Sequence, residues 1–298
     1  MKKNHIIVTG GAGFVGSHLI SHFLNLKKFK IISIDNYTSG TTKNHIKHKD
    51  VKYLRCETTE IKKKLFNIKN KINAVFHFGE FARIYQSFKK LDKCFNSNSI
   101  GSMAVFKFCL ENNIKLIYSA TSASLGNNGN DKNLSPYAFT KAKNLELLEN
   151  FKKWFNFKCE IIYFYNVYGP RQIATGDMAT VIGIFENQYK QKKPLTVVKP
   201  GTQARRFTHI NDTIKVCVEA WKKNKNLHYS ISSKKSYSIQ EVARLFKSKI
   251  KYIPKRLGER YSSTLTKMNL SNKIVHRYGK IQLNNYIREF LKNHSFTS

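Results

Sequence analysis

The stretch His5-Ile6-Ile7-Val8-Thr9-Gly10-Gly11-Ala12-Gly13-Phe14-Val15-Gly16 decides the reading of this chain. Its first four residues form a short apolar run rich in β-branched side chains, which predicts a buried strand. The run enters a turn with glycines at 10, 13 and 16, and Ser17-His18-Leu19-Ile20-Ser21-His22-Phe23-Leu24 then carries helical periodicity. Strand, glycine turn and helix in this order let a pyrophosphate approach the backbone at the positive end of a helix dipole. A second apolar strand, Ile31-Ile32-Ser33-Ile34, ends at Asp35. A carboxylate about twenty residues beyond the glycines takes the hydroxyls of an adenosine ribose and repels an extra phosphate there. The unit therefore points to NAD rather than NADP.

A second constellation lies in Ser135-Pro136-Tyr137-Ala138-Phe139-Thr140-Lys141. Positions four apart share a helix face, so Tyr137 and Lys141 point the same way. A phenol titrates near pH 10, and a fixed ammonium beside it favours the phenolate. The pair is a candidate general base for a sugar hydroxyl. Taken alone, the same spacing also describes a solvated helix face.

Five further segments place that pair in context. Val75-Phe76-His77-Phe78-Gly79 reads as a fourth strand and its exit, with Ser87 and Asn98 beyond it. Leu116-Ile117-Tyr118-Ser119-Ala120-Thr121 leads into a loop ending at Gly126. Tyr163-Phe164-Tyr165-Asn166-Val167-Tyr168-Gly169-Pro170-Arg171 and Gly201-Thr202-Gln203-Ala204-Arg205-Arg206-Phe207-Thr208-His209 follow, and Arg256-Leu257-Gly258-Glu259 comes late. With these motifs the chain resembles the extended short-chain dehydrogenase/reductases, within their NAD-dependent nucleotide-sugar epimerase/dehydratase family. The likeness to the UDP-glucose 4-epimerase type runs from about Lys3 to the region of Arg260.

The resemblance implies an α/β fold: a Rossmann-type doubly wound parallel sheet with a smaller C-terminal α/β substrate lobe. The NAD-binding part would span 1–168, with a returning segment near 205–232, and 169–298 would bind the nucleotide sugar. It implies NAD contacts from Gly10, Gly13, Phe14, Val15, Gly16, Asp35, Asn36, Glu57, Phe78, Gly79, Asn98, Tyr137 and Lys141. Thr121, Tyr137 and Lys141 would be catalytic. Glu80, Arg83, Ser87, Thr121, Asn166, Arg205 and Arg256 would face the substrate, a nucleoside-diphosphate sugar with a UDP-hexose favoured. The 4,6-dehydratases of the family carry acids just after the catalytic threonine, where this chain has Ser122 and Ala123. No cysteine of the reductive-epimerase kind sits in that loop. The expected reaction is inversion at carbon 4 through a transient 4-keto sugar.

Departures from the family pattern leave alternatives open. Glu80 and Arg83 replace small residues, Leu125 replaces an aromatic one, and the connection from Gly126 to Ser135 is short. Glu80 reads either as an extra acid/base group or as a carboxylate paired with Arg83. Another nucleotide-sugar-modifying enzyme using Glu80 remains a second reading, and a non-catalytic NAD-fold RNA-binding protein a third. His77 and His209 read as structural hydrogen-bonding residues, and no metal site is expected.

Composition bounds the rest. At 298 residues the chain is long enough for two lobes. The net charge of +35 would ordinarily suggest nucleic acid or an anionic membrane. Here lysine is spread along the whole chain without an arginine-rich tract, so neither is the expected partner. The five cysteines are scattered without metal-type pairs, which fits a reducing, cytoplasmic setting. No apolar run reaches membrane-spanning length, and no apolar leader precedes the first strand. A homodimer is expected through the helices near Tyr137–Phe155 and Asn98–Glu111.

Overall fold

In the computed structural model of the protein, residues 3–124, 131–258 and 274–294 are described. Leu125, the residues that follow it up to 130, and Glu259 lie outside the described residues. Eight strands of the described residues form one sheet. They are β1 (His5–Thr9), β2 (Lys30–Asp35), β3 (Val51–Arg55), β4 (Ile72–His77), β5 (Lys115–Thr121), β6 (Cys159–Phe164), β7 (His228–Ser232) and β8 (Ile274–Tyr278). Their spatial order is β8-β7-β6-β5-β4-β1-β2-β3, and every neighbouring pair is parallel. The winding reverses between β1 and β4. At such a reversal the connections diverge and open a crevice beyond the carboxyl ends of the strands. This is the doubly wound, Rossmann-type sheet that the glycine turn leads one to expect.

The apolar runs are continuous because both faces of the sheet are covered. Ile7, Val75, Leu116 and Tyr118 pack on one side, against α2 (Ser102–Glu111) and α3 (Pro136–Phe155). Ile6, Val8, Phe76 and Ile117 face the other side, against α1 (Phe14–Asn25) and α4 (Ile210–Lys223). All eight of these strand residues are fully buried. Truncating one large member such as Phe76 to alanine would cost about 3–5 kcal/mol.

A third core belongs to the second lobe and includes Tyr168, Phe185, Val197, Phe207, Phe246 and Ile287. Short strand pairs frame it: Leu195–Val198 beside Ile250–Ile253 in parallel, and Ala204–Arg206 antiparallel to Ser236–Ser238. The chain returns to the main sheet through Thr208–His209, α4 and β7. His209 caps α4, its Nδ1 accepting the Asn211 amide at 3.2 Å. The sheet also takes in β8, beyond the returning segment expected near 205–232.

The helix that carries the Tyr-Lys pair has clear local causes. Ser135 is its N-cap and accepts the Ala138 amide at 3.1 Å, and Pro136 occupies the first helical position. Asn156 ends it in the left-handed conformation. Its buried stripe runs Tyr137, Lys141, Leu145, Leu148 and Phe151, a helical period that pins the two polar residues inward with the apolar ones.

Candidate active site

A cavity of about 990 Å³ follows the crevice at the carboxyl ends of the strands. Gly10, Gly13, Phe14, Val15 and Gly16 line it. Gly10 has φ +71°, and a Cβ there would lie 2.8 Å from the backbone nitrogen of Gly79. A Cβ on Gly16 would lie 2.2 Å from the Gly10 carbonyl oxygen, so α1 can sit this close to the turn only without a side chain there. No side chain caps α1, which starts directly after Gly13. At the end of β2, Asp35 accepts the Ala12 amide at 2.9 Å and the Tyr37 amide at 2.8 Å. Burial raises its pKa, and those two bonds oppose the rise. Asn36 donates to Glu57 at 3.0 Å beside it. Thr9 Oγ1 accepts the amides of Phe78 and Gly79 at 3.1 and 3.0 Å, which fastens the exit of β4 to the end of β1. A bare helix start, a turn that excludes Cβ atoms and an acid on the next strand fit a dinucleotide such as NAD.

Thr121, Tyr137 and Lys141 line the same cavity. Thr121 closes β5, and its Oγ1 accepts the Ala123 amide at 3.1 Å. Tyr137 is 8% exposed and Lys141 3%. The ammonium of Lys141 is held by the Glu80 carboxylate, by the Ser119 carbonyl and by the Tyr118 hydroxyl at 3.2 Å, and it lies over the Tyr118 ring. Burial lowers the Lys141 pKa, and Glu80 counters that by charge and hydrogen bond. Tyr118 is pushed well above the phenol range by burial and by the neighbouring Glu80.

Glu80 is where expectation and structure differ. Its carboxylate pairs with Lys141, not with Arg83. Ser102 Oγ, Tyr118 OH and Asn144 Nδ2 also donate to it, at 2.8, 3.0 and 3.1 Å. Arg83 instead donates to the Met178 carbonyl, through Nε at 2.8 Å and through Nη2, and to the Ala82 carbonyl at 2.7 Å. It thereby ties the exit of β4 to the second lobe.

The remaining candidates divide between cavity wall and scaffold. Arg205 is buried and lines the cavity. Asn166 also lines it, and donates to the Arg206 carbonyl at 2.9 Å. Arg256 is exposed at the rim, with its guanidinium 5.5 Å over the Tyr85 ring. Ser87 lies behind the wall and accepts the Tyr137 amide at 3.2 Å, so it holds the start of α3. Asn98 is fully buried in a π-helical turn, Asn96–Gly101, where it bonds both backbone groups of Phe81 and Thr140 Oγ1. His77 bridges Thr9 Oγ1 at 2.7 Å and Ser102 Oγ at 2.9 Å, a scaffold position. Among the described residues, no group of three His, Cys, Asp or Glu side chains could hold a metal ion.

Tyr118, Asn144 and Ser102 carry no motif of their own, yet all three donate to the Glu80 carboxylate that pairs with Lys141. Asn144 follows Lys141 by three positions on the buried stripe, which was the available signal. Nothing in the sequence announces Ser102, because its partners are 22 and 25 positions away.

Known proteins resemble this chain in sequence and fold. The model of the NAD dependent epimerase/dehydratase family matches residues 6–232. An uncharacterized UDP-glucose epimerase, YtcB of Bacillus subtilis, is 33% identical over 226 residues, covering 70% of this chain and 70% of its own. The ADP-L-glycero-D-manno-heptose-6-epimerase of Brachyspira hyodysenteriae is 30% identical over 230 residues, covering 71% and 70%. The solved UDP-N-acetylglucosamine 4-epimerase of Methanobrevibacter ruminantium superposes with a TM-score of 0.84 at 25% identity, over 98% of both chains. The sheet, the glycine turn and a match over most of the chain lead to one conclusion: this protein is an enzyme of the NAD-dependent epimerase/dehydratase family.

Proposed function

We propose that the protein inverts carbon 4 of a nucleoside-diphosphate hexose, UDP-linked, through a transient 4-keto sugar. One observation carries the reading: Tyr137, Lys141 and Thr121 line one cavity together with the glycine turn, Arg205 and Arg256. When bound, NAD supplies the hydride acceptor and donor. Tyr137 takes the proton from the sugar hydroxyl and later returns it. Thr121 holds the same oxygen by a hydrogen bond. Lys141 favours the phenolate by its charge and holds the nicotinamide ribose. Arg205, Arg256 and Asn166 bind the diphosphate and sugar, and Asp35 takes the adenosine ribose. The first 168 residues, the segment near 205–232 and β8 serve the cofactor, and the rest serves the nucleotide sugar.

Glu80 accepts four hydrogen bonds, one of them from Lys141. A carboxylate so engaged is poorly placed as an extra acid or base, which favours simple epimerisation over chemistry that uses Glu80. The five cysteines are free and buried, which supports the cytoplasm as the compartment. No helix among the described residues is long and apolar enough to cross a membrane. Phe95, Ile100, Met103 and Phe139 are exposed on the helices around α2 and α3. Apolar side chains grouped on those elements support a homodimer through that face.

Proton NMR of the purified protein with UDP-, GDP-, CDP- and dTDP-hexoses and catalytic NAD tests the reading. Inversion at carbon 4 without NADH accumulation is expected. A released 4-keto product would move the assignment to another reaction of the family. Silence across the panel, with salt-sensitive RNA retention, would favour the non-catalytic alternative.

A further inference from the structure

Lys141 is a lysine in a place that disfavours its charge. Its side chain is 4% exposed, and the carboxylate against it, Glu80, is 3% exposed. A lone ammonium so desolvated loses its proton readily, whereas a paired one keeps it. The groups that face it come from several elements. Glu80 follows β4, Tyr118 lies on β5, Tyr137 on α3, Cys94 on the helix Leu91–Phe95, and His77 at the end of β4. Among the charge effects on Lys141, that of Glu80 ranks first, and it supports the ammonium.

We propose that Glu80 is a positioning residue for the catalytic machinery: it is the buried counter-ion that keeps Lys141 protonated and fixed in the cavity wall. This rests on the reading of Lys141 as the cation beside Tyr137. The carboxylate is itself held by a chain of bonds that starts at the glycine turn. Thr9 Oγ1 accepts two backbone amides, so its proton goes to His77 Nδ1. The His77 ring is then neutral with its proton on Nε2, which donates to Ser102 Oγ. Ser102 in turn donates to Glu80 Oε1, and Asn144 and Tyr118 complete the shell. The carboxylate thus accepts from Ser102, Tyr118, Asn144 and Lys141 at once, which fixes its position against the ammonium.

The test follows Lys141 directly and does not depend on turnover. Protein labelled with ¹³C at lysine Cε and saturated with NAD is titrated by NMR, and the Lys141 signal is identified by its loss in Lys141→Met. Glu80→Gln keeps the shape and removes the charge. Its Lys141 midpoint is expected to fall by at least one pH unit, a tenfold change in acidity, while the other lysines stay in place. An unmoved midpoint in folded Glu80→Gln overturns the proposal, whatever sugar the enzyme uses. If Glu80→Gln does not fold, the double variant Glu80→Gln/Lys141→Met decides. With both charges removed it is expected to fold with a Tm at or above that of Lys141→Met, in which the buried Glu80 carboxylate is left without its cation. A double variant that also fails to fold would make Glu80 a scaffold residue and overturn the counter-ion role.

Discussion

The carboxylate of Asp35 and the backbone amide of Ala12 are joined at 2.9 Å, so the acid that ends β2 also holds the glycine turn after β1. One side chain thus fixes the turn and presents its charge to the cavity. Asp35→Ala is expected to weaken NAD binding at least tenfold, because it removes the proposed ribose acceptor and loosens the turn together. Isothermal titration with NAD measures it. Unchanged affinity would remove Asp35 from the cofactor site.

Tyr137→Phe removes one oxygen from a residue that is 8% exposed and packed beside Phe81, Cys94 and Ala138. The ring and its packing remain. Turnover is expected to fall by a factor of about 10³ or more, with NAD affinity and Tm retained. Residual activity near the wild-type level would show that another group takes the proton.

Ser135 caps the helix whose second residue is Tyr137, through its bond to the Ala138 amide. Ser135→Ala is expected to cost about 1 kcal/mol of stability. In a chain of this size that lowers Tm by about 2 °C. Because the first turn carries Tyr137, kcat should fall as well, and Ser135→Asp should restore both. Thermal melts and initial rates on the two variants decide it.

Acid should destabilise the protein in two windows. Burial lowers His77 from 6.5 to about 4, with Glu80 opposing and Lys141 assisting. The folded state therefore binds fewer protons at this site than the unfolded state does. The stability from neutral His77 is full above pH 6.5 and is lost as pH falls towards 4, a loss of roughly 3 kcal/mol. At Glu149 burial opposes ionisation, but His228 and Lys152 outweigh it and bring the carboxyl to about 2. Its contribution is present above 4.5 and disappears as pH falls from there towards 2. Urea midpoints at pH 7.5, 5 and 3.5 measure both windows. A flat profile between pH 7.5 and 5 would contradict the His77 assignment.

Much of the cofactor end was legible in sequence because its determinants are local. The glycine spacing of residues 10 to 16 sets a turn, the apolar runs set β1 and β2, and Asp35 ends β2. The Tyr137–Lys141 face was readable for the same reason, since helical period and the Ser135 cap act within a few residues. The exit of β4 was not. Whether Glu80 meets Arg83 three positions on or Lys141 sixty-one positions on is a choice between a local and a distant partner.

The sequence by itself determined β1 and β2, the glycine turn between β1 and α1, Asp35 at the end of β2 and the shared face of Tyr137 and Lys141 on α3. These follow from backbone propensity and from periodicity, which need no distant contact. Only the tertiary structure decided the partner of Glu80, the scaffold positions of Asn98 and Ser87, the tie from Arg83 to Met178, and the entry of β8 into the sheet. Each depends on which side chains the packed layers bring within about 3 Å, and a buried charge pairs with whatever donor the fold places there.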